Sequence, residues 1–431
     1  MRRGFVELDG LFIHWRAIGQ GPALVLLHES PRSSASLIPL MKRLSNDFCC
    51  IAFDTPGYGA SDPLPEGVKS LTEFACVIRQ TIASLGIETF CLYGTHTGAA
   101  IALQLAELMP ERVTSLLLDG LAIFSEQEQQ DFFQHYLIPH EPKWDGSHLM
   151  TIWSRIRDQA VFFPFYSRSA ACRLVRPNND LDFMLRTCVG FLEAGNNYDV
   201  GYRAAIAYDP REPLHRIELP CRLHVKEFDL LAPHLQRIKS VSSSVKVSVQ
   251  ALPVDRWLQA TREWFSDFPS RVMSAETLPQ HKVRRFIDTI GGAVFVATGA
   301  GNGLRVRSAY PAPRPEGLYS PCFQSAAAGW FADAPECGVN ASVKYDPAQI
   351  ARTLGTELWD EQIIPTVQSL PAPDYHGAFL TGAWFAARDA LLQGQEAAAK
   401  AGASSEVSIK SLTCSHMAML YSHLNTTPDI V

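Results

Sequence analysis

The sequence predicts an α/β fold, with a doubly wound, mostly parallel sheet over residues 1–275. Two observations predict it. Short continuous apolar runs such as Ala23–Leu27 and Cys49–Phe53 recur along the N-terminal half, as strands buried on both faces require. Amphipathic helical stretches alternate with those runs, which is the pattern of strand–helix–strand crossovers.

The elements follow in order. Phe5–Leu8 and Leu11–Arg16 read as two opening strands, and Gly19-Gln20-Gly21-Pro22 as a turn. The buried strand Ala23–Leu27 leads to a helix over Ser33–Leu44. Cys49–Phe53 is a strand ended by Asp54-Thr55-Pro56-Gly57-Tyr58-Gly59. Leu71–Leu85 is an amphipathic helix, Phe90–Tyr93 a strand, Ala99–Met109 a helix stopped by Pro110, and Val113–Leu118 a strand. Residues 121–212 break the alternation. They are rich in aromatics, among them Trp144, Trp153, Phe162 and Phe163, and read as a helical cap over the strand ends. Strands at Pro220–Val225 and Lys246–Val249 and a helix at Trp257–Phe265 complete the domain.

Composition narrows the function classes. The 431 residues are 47% hydrophobic and 19% charged, the balance of a globular chain with a full core. The formal net charge is -6, and no basic block marks a nucleic-acid footprint. No run approaches the roughly 20 apolar residues of a membrane span. Two arginines near Met1 have no apolar run behind them, so no secretory signal is expected. The ten cysteines show no metal or redox spacing. The expectation is a cytoplasmic protein that takes a small-molecule substrate, needs no cofactor and no metal, and binds neither nucleic acid nor membrane. Assembly into a homo-oligomer is compatible with this sequence.

Three local patterns carry a family likeness. Leu26-Leu27-His28-Glu29-Ser30-Pro31 is a strand running into a loop. Asp54-Thr55-Pro56-Gly57-Tyr58-Gly59-Ala60-Ser61 is a glycine-rich turn. Tyr93-Gly94-Thr95-His96-Thr97-Gly98 places His96 between two glycines at a strand-to-helix turn. Together they resemble the α/β-hydrolase fold, over about residues 5–265. The resemblance implies a nucleophile elbow at His96, where serine, cysteine or aspartate is usual. It implies an oxyanion site from the backbone N–H groups of Glu29 and Thr97, although His-Gly rather than His28-Glu29 is usual in the first loop. It implies Asp229 as the acid. The segment that should supply the base, Leu252–Trp257, holds no histidine, and Asp255 stands near that place.

The serine and the histidine of the usual triad are both absent from their positions. In the catalytic reading His96 meets Asp229, Asp255 or both, and serves as a base for hydrolysis of a small, largely apolar substrate. A cofactor-independent lyase with His96 as base is one alternative. A catalytically dead ligand-binding or interaction module is another. Ser30, His28, His224 and His234 read as structural residues, and Arg155, Arg157 and Asp158 as a solvated helix face.

Residues 282–431 read as a degenerate, truncated second copy. Phe286–Gly301, Asp333–Gly338 and Thr381–Ala387 parallel stretches starting at Phe5, Asp54 and Thr97, offset by roughly 280 residues. Leu380 sits where a second elbow would need a histidine. A rival reading takes Ser415-His416-Met417 as a histidine segment of the first domain, separated from it by an insertion of about 150 residues.

Overall fold

The structure, a computed structural model, describes residues 1–67, 70–138, 140–167, 172–174, 180–227, 229–250, 253–280, 284–288, 294–298, 305–308, 373–400 and, in part, 408–420. The chain divides into two compact units. The first comprises Met1–Pro139, Ser169–Arg176 and Asn196–His281; the second comprises His140–Arg168, Pro177–Gly195 and Lys282–Val431.

The first unit is built on strands β1 (Arg2–Leu8), β2 (Leu11–Ile18), β3 (Gln20–Leu27), β4 (Cys49–Phe53), β5 (Phe90–Thr95), β6 (Val113–Asp119), β7 (Cys221–Lys226) and β8 (Val245–Gln250). They lie in the order β1-β2-β4-β3-β5-β6-β7-β8. From β4 to β8 every pair is parallel. The hairpin β1–β2 turns through Asp9 and Gly10, whose positive φ values of 50° and 85° suit a tight hairpin. Strand β3 starts three residues before the expected Ala23, because Gln20–Pro22 pairs with a ninth strand, β9 (Val272–Ser274). Leu24, Val25, Leu26 and Leu27 are fully buried, as a strand covered on both faces must be. Burying each such aliphatic side chain contributes about 1.5–3 kcal/mol.

Helices α1 (Ile38–Leu44), α2 (Leu71–Ser84) and α3 (Thr97–Leu108) are the crossovers, followed by α4 (Glu126–Asp131). Helix α2 opens on a capping box, in which Ser70 and Glu73 satisfy each other's backbone N–H groups. Helix α3 connects β5 to β6 and buries Ala99 to Leu103. Helices α7 (Tyr198–Ala207), α8 (Arg211–Arg216) and α9 (Val254–Ser266) also belong to this unit.

The second unit takes in helices α5 (Ser147–Gln159) and α6 (Leu181–Ala194), and with them α10 (Pro373–Lys400). The expected cap over 121–212 is therefore not one body, and the expected boundary near residue 282 does not divide the chain. The reason is packing. Trp384 of α10 is fully buried, donates from Nε1 to Trp144 O at 3.1 Å, and lies 4.7 Å from the His148 ring. His416 is buried too, with Nε2 2.9 Å from Leu380 O. Arg155 departs from expectation as well. It does not face solvent; it lies over the rings of Phe165 and Phe191, at 4.7 and 4.5 Å.

Strands β10 (Arg284–Asp288), β11 (Val294–Thr298) and β12 (Arg305–Ser308) form an antiparallel sheet in this unit. The hairpin β10–β11 has the form of β1–β2. The third strand pairs with β11, however, whereas β3 pairs with β4 and β5. Thr381–Ala387 lies inside the continuous helix α10, so no strand leads into it and no second elbow forms there. The stretch Asp333–Gly338 lies outside the described residues.

Candidate active site

The turn between β5 and α3 carries the site. His96 sits there with φ 48° and ψ -113°, a conformation that costs a non-glycine residue about 1–3 kcal/mol. The surroundings hold it in place. His96 N donates to Asp119 O at 2.9 Å, and the carbonyl of His96 accepts from Ala99 N. Gly94 and Gly98 permit the turn. A Cβ on Gly94 would lie 2.3 Å from Gly98 O, and one on Gly98 would lie 2.4 Å from Leu27 O. The strand–turn–helix geometry is thus complete, with an imidazole at its apex.

The structure brings Asp229 to His96 but not Asp255. His96 Nε2 lies 3.1 Å from Asp229 Oδ2. Asp229 follows β7, and its other oxygen accepts from Leu231 N at 2.9 Å. Burial raises the Asp229 carboxyl, but His96, the Leu231 N–H and Lys226 together outweigh it and hold it below the usual range. The carboxylate is therefore ionised at neutral pH, and Nε2–H donates to it. Nδ1 of His96 has no hydrogen-bond partner among the described residues, and the side chain is 39% exposed. Burial lowers the imidazole pKa, but Asp229, Glu29 and Asp119 together raise it above 6.5. Asp255 is corrected: it lies in the first turn of α9, 95% exposed, and pairs with Arg43 at 3.4 Å. Acid in the first turn of a helix suits the helix dipole, which is enough to account for it.

The loop after β3 is bolted to the elbow. Ser30 N donates to Thr97 Oγ1 at 2.6 Å, and Thr97 Oγ1 in turn donates to Ser30 Oγ at 3.1 Å. Glu29 pairs with Arg32 at 3.0 Å and accepts from Ser36 Oγ at 3.3 Å. Burial raises its carboxyl. Arg32, its own backbone N–H, His28 and His96 bring it below the usual range. The Glu29 N–H expected to face a developing oxyanion therefore serves the residue's own carboxylate. His28 holds the loop: its Nε2 accepts from Thr55 N at 3.0 Å, so Nδ1 carries the proton directed at Glu29 O.

The turn after β4 rests on Asp54. This buried carboxylate accepts from Ser34 N at 2.7 Å, Ala60 N at 2.8 Å and His14 Nδ1 at 2.6 Å. A Cβ on Gly59 would lie 2.1 Å from Asp54 Oδ2, so the glycine is obligatory. The other histidines are engaged elsewhere. His234 Nδ1 accepts from Ile123 N at 3.0 Å, and His224 Nδ1 lies 3.1 Å from Ser248 Oγ. His416 belongs to the second unit.

Two residues at the end of β6 were not anticipated. Asp119 accepts from Tyr93 Oη at 3.0 Å and adds to the negative field at His96. Gly120 has φ 73°, and a Cβ there would lie 2.7 and 2.8 Å from Cδ2 and Nε2 of His96. Gly120→Ala is expected to push the imidazole off Asp229 and lower kcat/KM by about 10²-fold, as displacements near 1 Å do. Its stability loss should be about 1–3 kcal/mol. Turnover and melting temperature measured together check this; full activity in the variant would show that Gly120 does not position the ring.

Residues 22–180 match the family model described as the α/β hydrolase fold. An uncharacterized hydrolase of Saccharomyces cerevisiae is 32% identical over 121 residues, 27% of this chain and 41% of that protein. The 2-(acetamidomethylene)succinate hydrolase of Mesorhizobium japonicum is 31% identical over 126 residues, 29% of this chain and 45% of that protein. The chain spans less than half the length of these curated relatives. A hydrolase from Pseudomonas aeruginosa PA01 superposes with a TM-score of 0.47 at 18% identity, over 62% of this chain and 98% of that one. Sheet order and family match together give the fold: it is of α/β-hydrolase type. No helix among the described residues is long and apolar enough to cross a membrane. Among the described residues no group of three or more His, Cys, Asp or Glu is placed to hold a metal ion.

Proposed function

We propose that this chain is a hydrolase of a small, largely apolar substrate in which His96, oriented by Asp229, activates water as a general base. One observation carries the reading. Nε2 of His96 is committed to an ionised Asp229, which leaves Nδ1 as the basic nitrogen, partly exposed and without a partner among the described residues. A base in this state takes a proton from water as the oxygen attacks the substrate carbon. The imidazolium that forms is stabilised by Asp229. The N-terminus of α3, including Thr97 N–H, lies beside the same turn and stabilises charge growing on the substrate oxygen. The apolar preference rests on the aromatic side chains of the first unit: Phe124, Phe132 and Tyr136 pack beside His234, on the segment that follows Asp229.

The test is a panel of short-chain aryl esters and amides turned over in ¹⁸O-labelled water. Label in the released acid and kcat/KM rising with pH are expected. The sign follows from the raised imidazole: base is present only above its folded pKa, so the rising limb is centred above 6.5. Asp229→Asn should move that limb to lower pH. A pH-independent rate, or a limb that Asp229→Asn does not move, would sink the base assignment.

A second reading has one observation in its favour. With the Ser30 and Glu29 N–H groups engaged, the loop offers little to a tetrahedral oxyanion. Proton abstraction by His96 in a lyase would not need that loop. Product formed without label from water would favour it.

A further inference from the structure

The site holds more acid than water activation uses. Glu29 stands where the family likeness would place glycine, and its carboxylate acts electrostatically on His96. Asp119 and Asp229 act on the same ring. Arg32, paired with Glu29, is the nearest balancing cation among the printed partners of these acids in that loop. With His96 neutral, three carboxylates stand against one guanidinium. The side chains of Glu29 and Asp229 are only 22% and 13% exposed, so water screens them less than it would surface charges.

A separate observation points the same way. An anionic group approaching His96 would need donors, and the loop has few to give. Ser30 N–H is held by Thr97 Oγ1, and Glu29 N–H by its own carboxylate. In this loop the residue's own acid stands where an external anion would otherwise be received.

We propose that Glu29 sets the charge specificity of the elbow site: it turns away substrates that bring a carboxylate or phosphate to His96 and selects those that bring an amine-bearing, cationic group. This rests on the hydrolase reading for the word substrate, but the charge preference itself is a binding property. Like charges brought together across a site of low screening are disfavoured, and opposite charges favoured, by the same residue. Glu29 is thus a specificity-determining residue and takes no part in the proton transfer.

The experiment uses the full chain and two probes of matched size, benzyltrimethylammonium and phenylacetate. Affinity is measured by calorimetry, and the His96 imidazole signal in NMR reports that binding is at this site. The cation is expected to bind at least about tenfold more tightly than the anion at low salt. Glu29→Gln, which keeps the shape, should shrink that ratio about tenfold; Glu29→Asp, which keeps the charge, should retain most of it. Circular dichroism verifies that each variant is folded. Equal or tighter binding of phenylacetate by the wild type, no measurable binding of the cation, or an unchanged ratio in Glu29→Gln would each overturn the proposal. None of these outcomes depends on turnover, so a failed hydrolase assignment and a failed charge assignment are separately visible.

Discussion

His96→Ala is expected to lower kcat by about 10²–10⁴-fold on any substrate the wild-type chain hydrolyses. The variant removes the only group at the elbow apex that can accept a proton, and it leaves Asp229 with its Leu231 N–H and no imidazole. Stability provides the control. The apex backbone has φ 48°, which alanine tolerates poorly and glycine readily. His96→Gly should therefore be more stable than His96→Ala by about 1 kcal/mol, although both lack the ring. At an ordinary helix position the order would be reversed. Chemical denaturation of the two variants and kinetics on one ester decide the matter. Wild-type turnover by the alanine variant would remove His96 from the mechanism. Equal stability of the two would mean that the turn relaxes and that the histidine is not held under strain.

How far the sequence reveals this site depends on how local each relation is. The elbow is local: six consecutive residues, Tyr93 to Gly98, state the strand, the turn and the two glycines, and the structure shows why a Cβ at either glycine would strike backbone. Asp229 is readable from order along the sheet, since it follows β7. Asp255 misleads for the same reason. It follows the last strand of the main sheet in sequence, yet α9 begins at Val254 and carries it to the surface as a first-turn acid. Gly120 is legible only as a chain-turning residue after β6; that its missing Cβ makes room for a ring 24 positions earlier is a tertiary fact. The contact of Trp384 with Trp144, 240 residues apart, has no local signature at all. It accounts for part of the cap joining the C-terminal segments, whereas the sequence suggests one continuous insert.

Acidification is expected to cost the fold several kcal/mol between pH 7 and pH 5, through histidines that are buried in the neutral form. In the first unit burial holds His14 and His234 at about 4. In the second it holds His140 and His148 at about 4 and His416 at about 3. The unfolded chain takes up a proton at each near 6.5, so between that value and the folded one the unfolded state binds more protons. Stability is thus fully present above 6.5 and falls as pH drops towards 4. A group held at 4 and released to 6.5 contributes a loss of about 2 kcal/mol at pH 5. Asp54 adds to this at lower pH. Its carboxyl is kept well below the usual range, chiefly by His14 against the opposing effect of burial, so its contribution disappears only when it too is protonated. Urea midpoints at pH 7, 6 and 5 measure the slope. His234→Asn separates titration from bonding, because an amide oxygen can still accept from Ile123 N while carrying no titrating proton. That variant should lose less stability on acidification than the wild type, by about one group's share. If wild type and variant fall in parallel, His234 is not among the groups that hold the fold against acid; if the wild type does not weaken at all by pH 5, the buried histidines are protonated without leaving their places.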